Sequence, residues 1–524
     1  MIMVRRFLLI FIACLSLVGA WMPALALAGG PDPNGGATGS AADITAATAG
    51  APTLEEVAAT AGHNKVAINM MWTLITGFLV MFMQAGFAMV ETGFTRAKNV
   101  AHTMMMNFMV YPLGMLGFYV CGFALMFGGF GPLLTLGGNV VNAENAVLNH
   151  EFTISLMGHT FGLFGLKGFF LSGTSYDVSV FALFLFQMVF MDTTATIPTG
   201  AMAERWKFSA FVLYALCVGT IIYPIYGNWV WGGGWLAMLG QNFGLGHGHV
   251  DFAGSSVVHM TGGVIGFVGA WLLGPRIGKY NKDGSVNAIP GHNIPMAVVG
   301  CFILAFGWFG FNPGSTLAGT DLRIAVVAVN TMLASATGAF ASMLWMWWVR
   351  TKKPDPGMIC NGFLAGLVAI TAPCAFVNSV SACIIGIIAG ILVIEAAFFI
   401  DQKLKIDDPV GAVAVHGVNG AWGVLALGLF ADGTYGDGWN GVAGTVKGLF
   451  YGDPSQFTAE VVGVLANIVY VGLISYVVFK LIDVLVGQRV AADVEVDGLD
   501  IPEMGVQGYV GVKLDKLAET PVSN

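Results

Sequence analysis

Two histidines stand in the least polar parts of this chain, each eight residues after an aspartate. The first stretch is DFAGSSVVHMTGG, from Asp251 through His259 to Gly263. The second is DPVGAVAVHGVNG, from Asp408 through His416 to Gly420. Each reads Asp, two residues, Gly, then Val-His, then a Gly four residues past the His. Imidazole titrates more readily near neutrality than any other side chain. A pair of them could hold and pass a proton. It could also take one haem iron from two sides. Any other metal would normally want further ligands, and the sequence offers no good third one.

The surroundings say where these groups work. The chain has 524 residues, 56% hydrophobic and only 10% charged, whereas a soluble protein is about a quarter charged. It therefore reads as a polytopic membrane protein. The net charge of −8 is spread over loops and the tail and leaves no basic patch for nucleic acid. Seven cysteines, at 14, 121, 217, 301, 360, 374 and 383, form no CxxC pair and read as small apolar residues. Residues 1–28 have the form of a secretory signal peptide: Arg5 and Arg6, an apolar run, then Ala26-Leu27-Ala28. Residues 29–64, rich in Ala, Gly, Thr and Pro, read as a flexible extracytoplasmic leader.

A bilayer span needs about 20 apolar residues. Eleven runs qualify, near 67–92, 104–127, 178–200, 207–228, 252–273, 294–311, 323–349, 357–373, 378–400, 409–430 and 459–486. With the mature N-terminus outside, the inner loops hold Arg96, Lys98, Arg205, Lys207, Arg276, Lys279, Lys282, Arg350, Lys352, Lys353, Lys403 and Lys405. The outer side holds Lys65, Lys167, Arg323 and Lys447. Twelve against four fixes an N-out, C-in topology. The transmembrane domain then covers 65–487 and a cytoplasmic tail 488–524. Span five enters from outside and span ten from inside, so the first ten spans divide into two five-helix halves of opposite orientation. The eleventh is a peripheral addition. Eight helical residues rise about 12 Å, so His259 and His416 approach the middle of a core about 30 Å thick from opposite sides. The repeat predicts that they touch. Two unrelated packing histidines are the plain alternative, against which stands the cost of ionisable groups at mid-membrane.

Asp251 to Arg276, DFAGSSVVHMTGGVIGFVGAWLLGPR, resembles the signature of the ammonium transporter (Amt/Mep/Rh) family. AGFAMVETGFTRAKN in span one, GAMAER at 200–205, WGGG at 231–234, GWFGFNPGS at 307–315, DDPVGAVAVHGVNG at 407–420 and GLDIPEMGVQGY at 498–509 resemble it too. The resemblance covers roughly 65–520 and implies an all-α homotrimer of eleven-helix protomers. It places a pore between twin histidines, His259 and His416. Trp231, Phe186 and Phe190 match the aromatic residues of an outer ammonium recruitment site, and Ser315 matches a hydroxyl that accepts a hydrogen bond from the cation. Phe190 and Phe311 match a stacked phenyl gate. Asp251 matches an acidic residue that is mainly structural, with a favourable charge if it faces the vestibule. Asp408 reads as a helix-end structural group. The Trp and Ser favour the Amt branch.

The resemblance implies a transporter, not an enzyme, with no cofactor, in a bacterial cytoplasmic membrane. A PII-type signalling protein at the inner face is an implied partner. Two other readings stay open: an ammonium sensor with little flux, and a membrane haem protein. Asp192, two residues after Phe190, departs from the family pattern. A local hydrogen bond near a helix break is expected for it, and a second cation-attracting carboxylate is the alternative. The outer segment 128–177 is longer than expected, and Met504 stands in the tail where a more polar residue is expected.

Overall fold

The computed structural model describes residues 52–131, 133–137 and 147–510. The expected signal peptide, most of the leader and the end of the tail lie outside them. Among the described residues, eleven apolar helices organise the fold: α1 Leu54–Phe94, α2 Ala97–Phe127, α3 Val178–Ala201, α4 Phe208–Val230, α5 Ser255–Leu273, α6 Ile294–Thr316, α7 Ile324–Arg350, α8 Pro356–Ile370, α9 Ser379–Leu404, α10 Val413–Phe430 and α11 Pro454–Val486. Among the described residues, ten are long and apolar enough to cross a membrane, and α8 is shorter.

The boundaries follow local chemistry. Helix α1 begins at Leu54, inside the stretch expected to be leader. Thr53 and Glu56 form a capping box, in which Glu56 N–H donates to the Thr53 hydroxyl (3.2 Å) and Thr53 N–H to the Glu56 carboxylate (2.5 Å). Two free N–H groups gain partners, so the helix can start above the apolar run. The described part of the segment 128–177 holds short 3-10 turns at Leu134–Leu136, Phe169–Leu171 and Gly173–Ser175 and a β-hairpin. Strands β1 Glu151–Leu156 and β2 His159–Gly165 pair antiparallel. Their turn is Met157-Gly158, with φ of 53° and 83°, the backbone that a two-residue hairpin requires. Phe152 stacks on Phe164 at 4.8 Å across the pair. The hairpin rests on the end of α4 and the loop after it: Trp229 Nε1 donates to Leu163 O, and Trp235 N–H to Gly162 O.

Helices α3 and α5 are buried along most of their length, whereas α11 exposes most of its surface. The two histidine stretches open α5 and α10 alike. Asp251 accepts from the N–H groups of Gly254, Ser255, Ser256 and Val257 and from Ser256 Oγ. Asp408 accepts from those of Val410, Gly411 and Val413. Both helices then start with a turn of wider, π-type geometry, Ser255–Met260 and Val413–Val418. At the end that loop charge places inside, Arg276 forks onto Asp407 (2.8 and 2.9 Å) and Glu204 meets Arg96 at 2.6 Å. Burial alone would raise the Asp407 carboxyl, but Arg276 holds it well below the ordinary carboxylate range. The tail docks on this end through Leu499 N–H on Asn99 Oδ1, His102 N–H on Asp500, Phe208 N–H on Glu503, and Tyr509 against His292. Met504 is half-buried within that docked segment.

Candidate functional site

The two histidines meet. His259 Nδ1 lies 3.1 Å from His416 Nδ1, with ring centroids 5.2 Å apart, and both side chains are buried. Glycine makes the approach possible. A Cβ on Gly263 would come within 2.2 Å of the Gly417 nitrogen, and one on Gly420 within 2.4 Å of the Ser255 oxygen. Helices α5 and α10 therefore cross with backbone on backbone at the histidine level. This excludes two unrelated packing histidines.

The hydrogen bond also fixes the chemistry. Between two neutral rings, one Nδ1 must donate and the other accept. The donor ring is then left with a basic Nε2, and the acceptor ring with an Nε2–H. One face of the pair thus offers both a lone pair and a proton, and His259 Nε2 has no protein partner. A metal held between the two Nδ1 atoms would separate them by about 4 Å, twice a usual metal–nitrogen length. The observed contact is shorter, and the rings are wedged among Trp308, Phe311 and Phe87 at 5.2, 5.2 and 6.0 Å. The pair does not fit haem ligation. No group of three metal-binding side chains occurs among the described residues.

On one side of the pair, aromatic rings form a file. Phe311 stacks on His259 on one side and on Phe190 on the other, the latter at 4.1 Å and 30°. Phe190 meets Phe186 at 4.7 Å and the edge of Trp231 at 6.0 Å. Phe186 and Phe190 lie four residues apart on α3 and share its face. Gly314 packs closely enough that a Cβ there would touch Phe186. Trp231 Nε1 donates to Asp251 O (2.6 Å), and a Cβ on Gly254 would crowd its ring. Ser315 Oγ donates to Phe311 O at 2.7 Å, which leaves its lone pairs free to accept. The structure thus brings His259, His416, Phe311, Phe190, Phe186, Trp231 and Ser315 into one column.

The carboxylates stand apart from it. Asp251 is 1% exposed and spent on its five donors, so it faces no vestibule. Asp408 lies at the opposite end, on the wall of a cavity of about 400 Å³ shared with Phe94, Arg276 and Asn361. Burial lifts its carboxyl above the ordinary value. Asp192 is 2% exposed, and its Oδ1 has no partner, so the expected local hydrogen bond is not made. Two residues of helix turn it about 200° from Phe190, away from the column. It shares a face of α3 with Thr196 and Thr199. Those hydroxyls meet Gln84, Asn107 and Glu91.

The sequence reading missed the supports behind the column. Trp308 lies inside GWFGFNPGS yet had no role assigned. Glu460 and Asn467 are polar residues on an apolar span, a signal worth following. Asn467 Nδ2 donates to Thr261 Oγ1, two residues past His259.

The chain's likenesses agree with this geometry. The profile of the Ammonium Transporter Family matches residues 71–509. The ammonium transporter Amt2 of Archaeoglobus fulgidus is 45% identical over 88% of this chain and 91% of its own length. Amt1 of Haloferax mediterranei is 37% identical over 84% and 79%. Among solved structures, one titled "Sensor Amt Protein" superposes with a TM-score of 0.71 at 35% identity, covering 84% of this chain and 99% of its own. Mep2 of Candida albicans gives 0.66 at 26% identity, covering 82% and 87%. This chain belongs to the Ammonium Transporter Family.

Proposed function

We propose that the chain recruits ammonium at its outer face, strips one proton from it, and conducts ammonia through the apolar column, with the proton passed on separately by the histidine pair. The observation that carries this reading is the phenyl pair Phe190 and Phe311 stacked directly above His259. Ammonium and potassium are nearly the same size, so a plain hole cannot separate them. Faces of Trp231, Phe186 and Phe190 attract a cation by about 0.5–2 kcal/mol each, and Ser315 offers an acceptor that only a hydrogen-bond donor can use. Beyond the phenyl pair, a desolvated ion is costly. Ammonium can shed its proton and pass as a neutral molecule, and potassium cannot. The Nε2 edge of the histidine pair then meets ammonia with one donor and one acceptor.

In this reading the N-terminus lies outside and the tail inside, and the protein sits as a homotrimer in a bacterial cytoplasmic membrane. Arginine- and lysine-bearing loops and a docked tail give the inner face a surface for a PII-type signalling protein. A sensor with the same site and little flux is the second reading, favoured by the likeness to the sensor Amt structure.

The test is current across proteoliposome membranes after an ammonium pulse, with potassium as control and His259→Ala beside the native chain. A selective current that falls at least tenfold in the variant supports proton transfer through the pair. Ammonia flux detected by pH without current makes it a neutral channel. Ammonium binding with neither signal makes it a sensor.

A further inference from the structure

The last helix, peripheral by exposure, sends one carboxylate to the floor of the outer site. Glu460 of α11 is fully buried, and its Oε2 lies 2.6 Å from Nδ1 of His249, also fully buried. His249 Nε2 lies 2.9 Å from Ser256 Oγ, and Ser256 Oγ donates to Asp251 Oδ2 at 2.8 Å. Asp251 in turn caps α5 and, through its carbonyl, holds Trp231. Four side chains therefore connect α11 to the recruitment aromatic without a gap.

The proton positions follow from the acceptors. Ser256 gives its only hydrogen to Asp251, so His249 Nε2 must carry a hydrogen for the serine oxygen to accept. His249 Nδ1 faces Glu460 Oε2 at 2.6 Å, so a single shared proton ties the ring to the carboxyl group whichever of the two carries it. The rest of Glu460 is anchored by Val250 N–H (3.0 Å) and Gln456 Nε2 (2.7 Å) on Oε1. Gly463 leaves room for the ring, since a Cβ there would meet His249 Nδ1 at 2.1 Å. Asp251, Glu460 and the hydroxyl of Tyr226, which donates to Gly463 O, are the titratable groups about the imidazole.

We propose that His249 and Glu460 are positioning residues of the outer ammonium site, acting through Ser256 on Asp251 and so on Trp231. A buried imidazole pinned by the last helix, with its Nε2 hydrogen on Ser256, keeps the Ser256 hydroxyl turned toward Asp251. That keeps the 251–254 loop under the Trp231 ring. The inference rests on the transport reading above and adds a second layer to it. It also gives α11 a task at the site.

The experiment measures ammonium-dependent current in proteoliposomes of the full chain against ammonium concentration, for His249→Ala, His249→Gln, Ser256→Ala and the double variant His249→Ala/Ser256→Ala. The two single alanine variants are expected to raise the half-saturating ammonium concentration about tenfold while maximal current stays within about twofold. The double variant should do no more than either single one, because both cut the same chain. His249→Gln, whose amide can still donate to Ser256, should recover most of the loss. Unchanged half-saturation, additive effects, or a fall in maximal current and folded yield with half-saturation unmoved would each overturn the proposal. If the native chain gives no ammonium-dependent current or flux, the transport reading fails instead, and that is seen before any variant is compared.

Discussion

Replacing Asp251 by Asn tests whether that carboxylate is a helix cap or an attractor of the cation. Its two oxygens divide the work: Oδ1 accepts from Gly254 and Ser255, and Oδ2 from Ser256 N–H, Val257 and the Ser256 hydroxyl. An amide has one acceptor oxygen. Whichever way it turns, two backbone N–H groups lose theirs and face an amino group instead, although the serine hydroxyl can rotate to adapt. Hydrogen bonds to a charged group are worth about 1.5–3 kcal/mol each, so the loss is about 3–6 kcal/mol. Asp408→Asn is the internal control. There Oδ1 holds Val410 and Gly411, and Oδ2 holds Val413, with Ala412 N–H a weaker fourth contact, so a well-turned amide loses one well-formed bond, about 1.5–3 kcal/mol. Thermal unfolding of both variants in one detergent, at one scan rate, should place Asp251→Asn clearly below Asp408→Asn. Equal melting of the two would refute the counting. A normal melting point for Asp251→Asn together with weakened ammonium affinity would show that the charge attracts the cation and that the cap is incidental.

Asp192→Asn should leave the half-saturating ammonium concentration unchanged, because Asp192 points away from the column. Asp192→Leu, which takes the unpartnered oxygen away altogether, should stabilise the protein by about 1–3 kcal/mol, the usual cost of an unsatisfied buried polar group. A tenfold weaker affinity would instead make Asp192 a second attractor. Glu151, on β1, has one oxygen bonded to Asn228 and the other unpartnered, and burial pushes its carboxyl up to about 7. Its folded value lies above the unfolded 4.5. Its contribution is therefore present in full below that value and is lost as pH rises through about 7. Amide exchange over 151–165, corrected for intrinsic rates, should thus quicken relative to the helices on going from about pH 5 to about pH 8. Glu151→Gln should remove that trend, and a trend that survives in the variant would assign it to another group.

How far the sequence carried depends on the range of each interaction. Helices were legible because apolar length is a local property, and Phe190, Phe311 and Trp231 were legible because their motifs are. The start of α1 was not, since two capping residues, Thr53 and Glu56, extend the helix past the apolar run. The hairpin was masked by reading 128–177 only as surplus length, and Met157-Gly158 is not one of the Asn-Gly, Asp-Gly or Gly-Gly pairs that announce a two-residue turn. His249 stood two residues before Asp251 in plain view. Its partner Glu460 lies 211 residues away, and no periodicity within one helix connects such a pair. Asp192 illustrates the converse: its nearness to Phe190 raises a column role only as the alternative to a local hydrogen bond, the hydrogen bond is not made, and helix geometry turns the side chain to another face.

The repeated pattern of Asp, His and Gly now has a cause for each member. The aspartate collects the N–H groups that a helix start inside a membrane cannot leave bare. The turn that follows is wider than an α-helix, and such turns gather at functional sites. Its widening leaves backbone carbonyls in need of donors. In α5, Thr261 Oγ1 reaches back five residues to Ser256 O, and in α10, Asn419 Nδ2 reaches back five to Ala414 O. The glycine four residues past each histidine removes the Cβ that would hold the opposite helix off. Each half alone would present an imidazole with nothing to hold its tautomer. Two halves of opposite orientation present the same imidazole to each other, and the Nδ1 contact then orients both rings at once. Loss of either glycine should therefore damage the site through separation of the rings even with both histidines intact. The spacing between aspartate and glycine is as much a part of the site as the histidine it encloses.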